Sequence, residues 1–411
     1  MRVLFTFLPG TGSLRPLLPL AQSLRALGHE VALCSAPASG PAADRAQLPF
    51  FAAGLDWDTS DPHYIEFLCA AAGGLTFPPL NGMARLAWVT NELFIGAAAA
   101  RMLPDVVRIA RDWSADLIVR QSLEYSGCVA AERLGLPHAS IADAAHSALD
   151  RRHEVTASLG RLRSSVGLPA DPDGEMVYRH LHLCFAPPRF DGPEAVFPPT
   201  ARFLRHTNPT LAGEELPSWV DELEARPTVL ASMGTVFHRT PGLYEAVVDG
   251  LRDEPVNVVV AAGFDLDPGR FGPQPPDVRL EPYLPLASLL PRCDLFITHG
   301  GFNSVKESLT AGVPMVLVPI SADQPYSAER CAALGVGVTL APEERTASDV
   351  RRAARAVLAD PAYTQRAKEM QQEMAALPGP EHAVALLEAL HCNLSRRSRP
   401  QSGSAGIETA S

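Results

Sequence analysis

Arg2-Val3-Leu4-Phe5-Thr6-Phe7-Leu8-Pro9-Gly10-Thr11-Gly12-Ser13 stands at the head of the chain, and Leu17 to Ser35 follows it with a second pattern. Val3–Leu8 is a continuous apolar run, as a strand buried on both faces requires. Pro9 to Ser13 breaks the run, and Leu17–Leu27 then repeats apolar residues at helical spacing. Gly28 ends that helix, and Glu30–Ser35 resumes as a strand. Strand, helix, strand is a βαβ unit, so the sheet begins parallel. The pattern returns at Asp116–Val119, Tyr125–Leu134 and His138–Ile141.

A second series begins after an irregular middle. Thr228–Met233, Val256–Ala261, Leu295–Thr298 and Met315–Val318 read as strands, each followed by a glycine- or proline-bearing loop and a helix. Pro241–Leu251, Val350–Leu358 and Pro361–Ala376 read as helices. Asn208-Pro209 and Ala212-Gly213 interrupt all periodicity and place a linker at 206–217. The spacing therefore predicts two doubly wound α/β domains, 1–207 and 217–376, facing across a cleft. A closing helix at 377–393 is expected to return to the first domain, with a polar, disordered tail over 394–411. Ligands of such sheets bind beyond the carboxyl ends of the strands, so the loops there carry the functional argument.

Composition narrows the field. The 411 residues carry a formal net charge of -11, and 46% of them are hydrophobic. No basic run suited to a nucleic acid precedes the last residues, so an anionic ligand needs a local device. Seven cysteines stand singly with no metal-ligand spacing, as small core residues of a reducing compartment do. The first residues lack the apolar length of a signal peptide, and no stretch reaches the roughly 18 apolar residues of a membrane span. A cytoplasmic protein with no membrane span is the expectation.

That local device is legible at Leu295-Phe296-Ile297-Thr298-His299-Gly300-Gly301-Phe302-Asn303-Ser304-Val305-Lys306-Glu307. A strand ends in a glycine turn and a helix opens, which leaves free N–H groups and a dipole for an anion. His299, Asn303 and Ser304 would converge on a diphosphate, and Glu307 could accept from ribose hydroxyls. Asp323-Gln324 follows the next strand with donors and acceptors for hexose hydroxyls. Tyr283, before a leucine-rich helix, offers an aromatic face to a base.

The pattern H-x-x-x-N-S-x-x-E followed by D-Q resembles the donor signature of family 1 glycosyltransferases of the GT-B fold, most nearly the actinobacterial enzymes that decorate natural products. The resemblance spans nearly the whole chain. It implies that Tyr283 and the Leu284 backbone meet the base, and that His299, Gly301, Asn303 and Ser304 hold the diphosphate near Ser232 and Thr235. Glu307 would then meet the ribose, with Asp323 and Gln324 on the sugar. The implied reaction is an inverting transfer of a hexose or deoxyhexose from a dTDP- or UDP-sugar to a small hydrophobic aglycone. It needs neither metal nor cofactor beyond the donor co-substrate; a homodimer stays open.

One departure is large. The family places a basic histidine in G-H-x-x-P, whereas this chain reads Gly12-Ser13-Leu14-Arg15-Pro16. A neutral hydroxyl orients an acceptor but is no base near pH 7. Asp143, His146 and Glu124, near strand ends, are the alternative bases. An acidic acceptor needing little help, or a non-catalytic nucleotide-sugar-binding auxiliary protein, are the other readings. A dinucleotide oxidoreductase fits only the opening βαβ unit and lacks G-x-G-x-x-G. Phe77 and Trp88, in an aromatic-rich stretch over 58–95, are expected to line the acceptor site with Gly12 and Glu124.

Overall fold

A computed structural model describes residues 1–397 other than 81, 143, 150, 151, 210, 212, 213, 237, 238, 264 and 265. The first sheet holds β1 (Arg2–Thr6), β2 (Glu30–Ser35), β3 (Phe50–Ala52), β4 (Leu117–Gln121), β5 (His138–Ile141), β6 (Leu181–Cys184) and β7 (Ala201–Phe203). The second holds β8 (Thr228–Ser232), β9 (Asn257–Ala261), β10 (Val278–Glu281), β11 (Leu295–Thr298), β12 (Met315–Leu317) and β13 (Gly337–Thr339). Their orders are β3-β2-β1-β4-β5-β6-β7 and β10-β9-β8-β11-β12-β13. Every strand pair is parallel.

Apolar clusters cover both faces of β1 and β8, which is why those strands read as apolar runs, while β5 alternates buried His138 and Ser140 with Ala139 and Ile141. In each domain the order reverses beside the first strand, between β1 and β4 and between β8 and β11. Those two switch points face the cleft with the loops that the motifs occupy. This is the expected pair of doubly wound domains.

Several details differ from expectation. The strands at 50–52, 181–184, 201–203, 278–281 and 337–339 were not legible as strands; they are three or four residues long and lie toward the sheet edges. The aromatic-rich stretch 58–95 holds helices Tyr64–Ala71 and Gly82–Trp88 and the start of a wide π-helical segment, Val89–Ala99. The last helix, Pro380–Arg397, crosses to the first domain, where Ala383, Val384 and Leu387 join the cluster of Leu17, Leu20 and Leu24. Residues 394–397 are thus helical rather than tail; Asp143 and residues 398–411 lie outside the described residues.

Between the domains, Phe190 of the first packs into the core of the second, its ring 5.3 Å from that of Phe302. Arg330 Nε donates to the Phe190 carbonyl at 2.7 Å, and the Tyr326 hydroxyl to the Asp191 carbonyl at 2.9 Å. Among the described residues no helix is long and apolar enough to cross a membrane.

Candidate active site

The turn after β11 is shaped by one ring. Gly300 adopts φ 81°, and a β-carbon on Gly301 would stand 2.5 Å from His299 Nε2. One on Gly234, in the turn after β8, would stand 2.7 Å from the same atom. The imidazole is thus clamped between two glycine backbones, in space that only missing side chains provide. It hydrogen-bonds the Ser232 backbone, and burial lowers its pKa to about 4. His299 is therefore a neutral ring with one N–H.

Gly301 caps the helix Phe302–Ala311, whose first turn presents the N–H groups of residues 302–304 with no intrahelical acceptor. Ser304 is buried beneath that turn. Asn303 donates through Nδ2 to the Gly12 carbonyl at 2.9 Å and leaves Oδ1 without a partner. One of its two N–H groups is therefore already given to the opposite domain. Thr235 is exposed across from Gly12, where a β-carbon would lie 3.7 Å from its hydroxyl. Ser232 is buried, its hydroxyl accepting the Gly234 N–H at 3.4 Å. Glu307, within the field of Arg15, has its pKa raised because burial outweighs the pull of Arg15 and Lys306.

Asp323 and Gln324 behave differently from each other. Gln324 is buried, and its Oε1 accepts the N–H groups of Ile320 and Ser321 at 2.7 and 2.9 Å. Its carbonyl end is spent on shaping the loop, so only the amide nitrogen is left for a ligand. Asp323 stands half-exposed beside Ala322, which is held at φ 57°. An alanine in the left-handed region is strained by about 1 kcal/mol, and such strain gathers at sites that must hold one shape.

Tyr283 is 38% exposed, and its hydroxyl donates to Glu214 of the linker while lying 3.5 Å from Arg15 Nη1. Burial and that carboxylate push its pKa up to about 12. Leu284 is a core side chain, so any contact with a base must come through its backbone. Glu214 and Arg15 were passed over in the sequence, because one sits in the linker and the other is flanked by apolar residues. Their only signal was charge close to the cleft.

On the acceptor side two expected bases are engaged elsewhere. Glu124 takes the Thr6 hydroxyl at 2.5 Å, the N–H groups of Ser126 and Gly127 at 2.5 and 3.0 Å, and the Ser126 hydroxyl. It caps the helix Ser126–Leu134 and is spent on structure. His146 Nε2 meets the Val196 carbonyl at 3.2 Å, so that nitrogen carries the proton. Its Nδ1 then accepts from His182 Nε2 at 3.2 Å, and His182 Nδ1 accepts from Ser140 at 2.7 Å. Both imidazoles are buried.

Ser13 lies half-buried on the short helix Thr11–Leu14, with its N–H donated to Gly10 at 3.2 Å. Asp58 was not foreseen here. Thr59 bonds the Pro9 carbonyl through its hydroxyl at 2.9 Å, and the Gly10 β-position would lie 3.7 Å from Asp58 Oδ1. Phe77 lines an open pocket of about 450 Å³ with Pro62, Ile65, Cys69, Leu75 and Arg85. Trp88 supports it edge-on, with ring centroids 5.1 Å apart. Among the described residues no three His, Cys, Asp or Glu side chains are gathered as metal ligands.

Residues 22–153 match the N-terminal domain model described as erythromycin biosynthesis protein CIII-like, and residues 253–390 match its C-terminal counterpart. The 4'-demethylrebeccamycin synthase of Lentzea aerocolonigenes is 29% identical, over 95% of this chain and 99% of its own. The tylactone mycaminosyltransferase of Streptomyces fradiae is 27% identical, over 98% and 95% respectively. The solved structure of the glycosyltransferase VinC in complex with dTDP aligns with a TM-score of 0.77 at 25% identity, over 96% of this chain and 100% of its own.

Proposed function

Because the chain belongs to the erythromycin biosynthesis protein CIII-like family and is a glycosyltransferase of the GT-B fold, we propose that it transfers a hexose or deoxyhexose, with inversion, from a dTDP-sugar to a small hydrophobic acceptor. The observation that carries this reading is the meeting of the His299–Ser304 turn with the Ser232–Thr235 turn at the β8/β11 switch point, opposite Gly12 and Ser13. Thymidine is preferred over uridine because a similar structure was solved with dTDP.

In this reading the helix N-terminus, Ser304 and His299 take the negative charge that builds on the leaving diphosphate. Glu307 accepts from the ribose, Tyr283 stacks on the base, and Asp323 with the Gln324 amide N–H orients the sugar. The acceptor enters beside Phe77 and Trp88, and Ser13 orients its hydroxyl. A carboxylate of the surrounding loops removes the proton: Asp58, held against the Gly10 turn, or Asp143, which follows β5.

Incubation of the protein with dTDP- and UDP-hexoses and a panel of aromatic and macrolide aglycones tests the reaction, with anomeric configuration read by NMR. Retention of configuration, or no transfer to any acceptor, overturns the proposal. Asp58→Asn and Asp143→Asn then separate the bases, since the true one loses kcat while the affinity for dTDP stays unchanged.

A further inference from the structure

The first βα loop sends a cation across the cleft. Arg15 follows Ser13 by two residues, and its Nη1 lies 2.6 Å from Glu214 Oε1, with Nη2 3.5 Å from Oε2. The Tyr283 hydroxyl donates to the same Oε1 and lies 3.5 Å from Arg15 Nη1. The three residues come from the first domain, the linker and the loop after β10. The ion pair is no loose surface contact, because its side chains are only 21% and 17% exposed. An exposed pair would contribute little; one that also receives a phenol has its geometry fixed from two directions. A second bond, Asn303 to the Gly12 carbonyl, joins the same loop to the helix beneath the diphosphate position.

We propose that Arg15 and Glu214 are positioning residues for the nucleotide: through the Tyr283 hydroxyl they fix the plane of the ring against which the base packs. The inference rests on the reading of Tyr283 as the base platform. A free tyrosine ring must be ordered when a base arrives, and that ordering weakens binding. Here the hydroxyl is anchored beforehand while the residue as a whole stays 38% exposed. The anchor also ties the platform to the first domain across the cleft.

The test is dTDP affinity by titration calorimetry on the full-length protein, with KM and kcat for the sugar donor once a substrate pair is known. Tyr283→Phe keeps the ring and removes the anchor. Glu214→Gln and Arg15→Met remove its other parts. Each is expected to weaken dTDP about tenfold, to raise donor KM more than it lowers kcat, and to leave acceptor KM unchanged. Glu214→Gln combined with Tyr283→Phe is expected to lose no more than either alone, because both break one unit. Tyr283→Ala, which also removes the platform, is expected to lose more. If Tyr283→Ala weakens dTDP while the phenylalanine, glutamine and methionine variants bind normally, the anchor is refuted and the platform stands. If Tyr283→Ala also binds normally, the platform reading itself fails. Full additivity in the double variant likewise overturns the proposal, as do equal losses in donor and acceptor KM.

Discussion

His299 binds its neighbours by what they lack. With two glycine backbones against its ring, the turn tolerates no β-carbon at 301, so Gly301→Ala must displace either the imidazole or the helix start. The expected outcome is a loss of dTDP affinity of about tenfold or more with a folded protein, checked by calorimetry and circular dichroism. The ring also carries a pH signature. In the free protein its pKa is about 4, so at neutral pH it is uncharged. A bound diphosphate favours the imidazolium and raises that pKa. Binding therefore takes up protons, and affinity falls as pH rises through the bound-state value. Calorimetry in buffers of different ionisation enthalpy reads the uptake directly. An identical enthalpy in all buffers shows that His299 stays neutral and meets the ligand as a plain N–H donor.

Among elements, the helix Ser126–Leu134 shows how a residue type at a strand end misleads. Glu124 read as an acceptor contact because it follows β4 beside the cleft. In the fold it is the anionic cap of the helix two residues later, with four donors converging on it. Glu124→Gln keeps the shape but loses the charge and turns an N–H toward those donors. The expected cost is about 1–3 kcal/mol of stability in chemical denaturation, with donor affinity unchanged. The elements that were legible share a physical cause. β1, β2 and β11 are largely apolar because apolar clusters cover both of their faces, and the helices that follow β1, β4 and β11 end at Gly28, Gly135 and Gly312 with φ of 84°, 69° and 74°. The strand Gly337–Thr339 at one edge was hidden because three residues hold no period. The donor turn was legible because its chemistry is local in the sequence. The proposed acceptor side draws on residues 9–16, 58–88 and the loops after β4 and β5, so Asp58 became visible only in three dimensions, as did Glu214 of the linker.

At the scale of the molecule, the chain closes on its own beginning. The helix Pro380–Arg397 leaves the second domain beside the linker, where the Arg205 N–H donates to the Pro378 carbonyl at 2.8 Å. It then buries Ala383, Val384 and Leu387 against Leu17, Leu20 and Leu24, and His29 meets Glu388 at 3.1 Å. The first domain is therefore incomplete without residues about 360 positions further along the chain. Leu387 is entirely buried, and its replacement by alanine leaves a cavity beneath the helix that carries the acceptor loop. Large-to-small changes of this kind cost about 2–5 kcal/mol, depending on how far the site collapses. The proposed donor site lies at the other sheet, so the fold predicts a divided outcome for Leu387→Ala. The urea midpoint of the first domain falls while dTDP affinity of the folded protein stays within about twofold of the parent. Saturating dTDP should restore little of the lost stability if the domains unfold separately, since a ligand stabilises only the unit that binds it. A single cooperative transition that dTDP shifts in full would show instead that the last helix, with the Phe190–Phe302 contact, welds both domains into one folding unit.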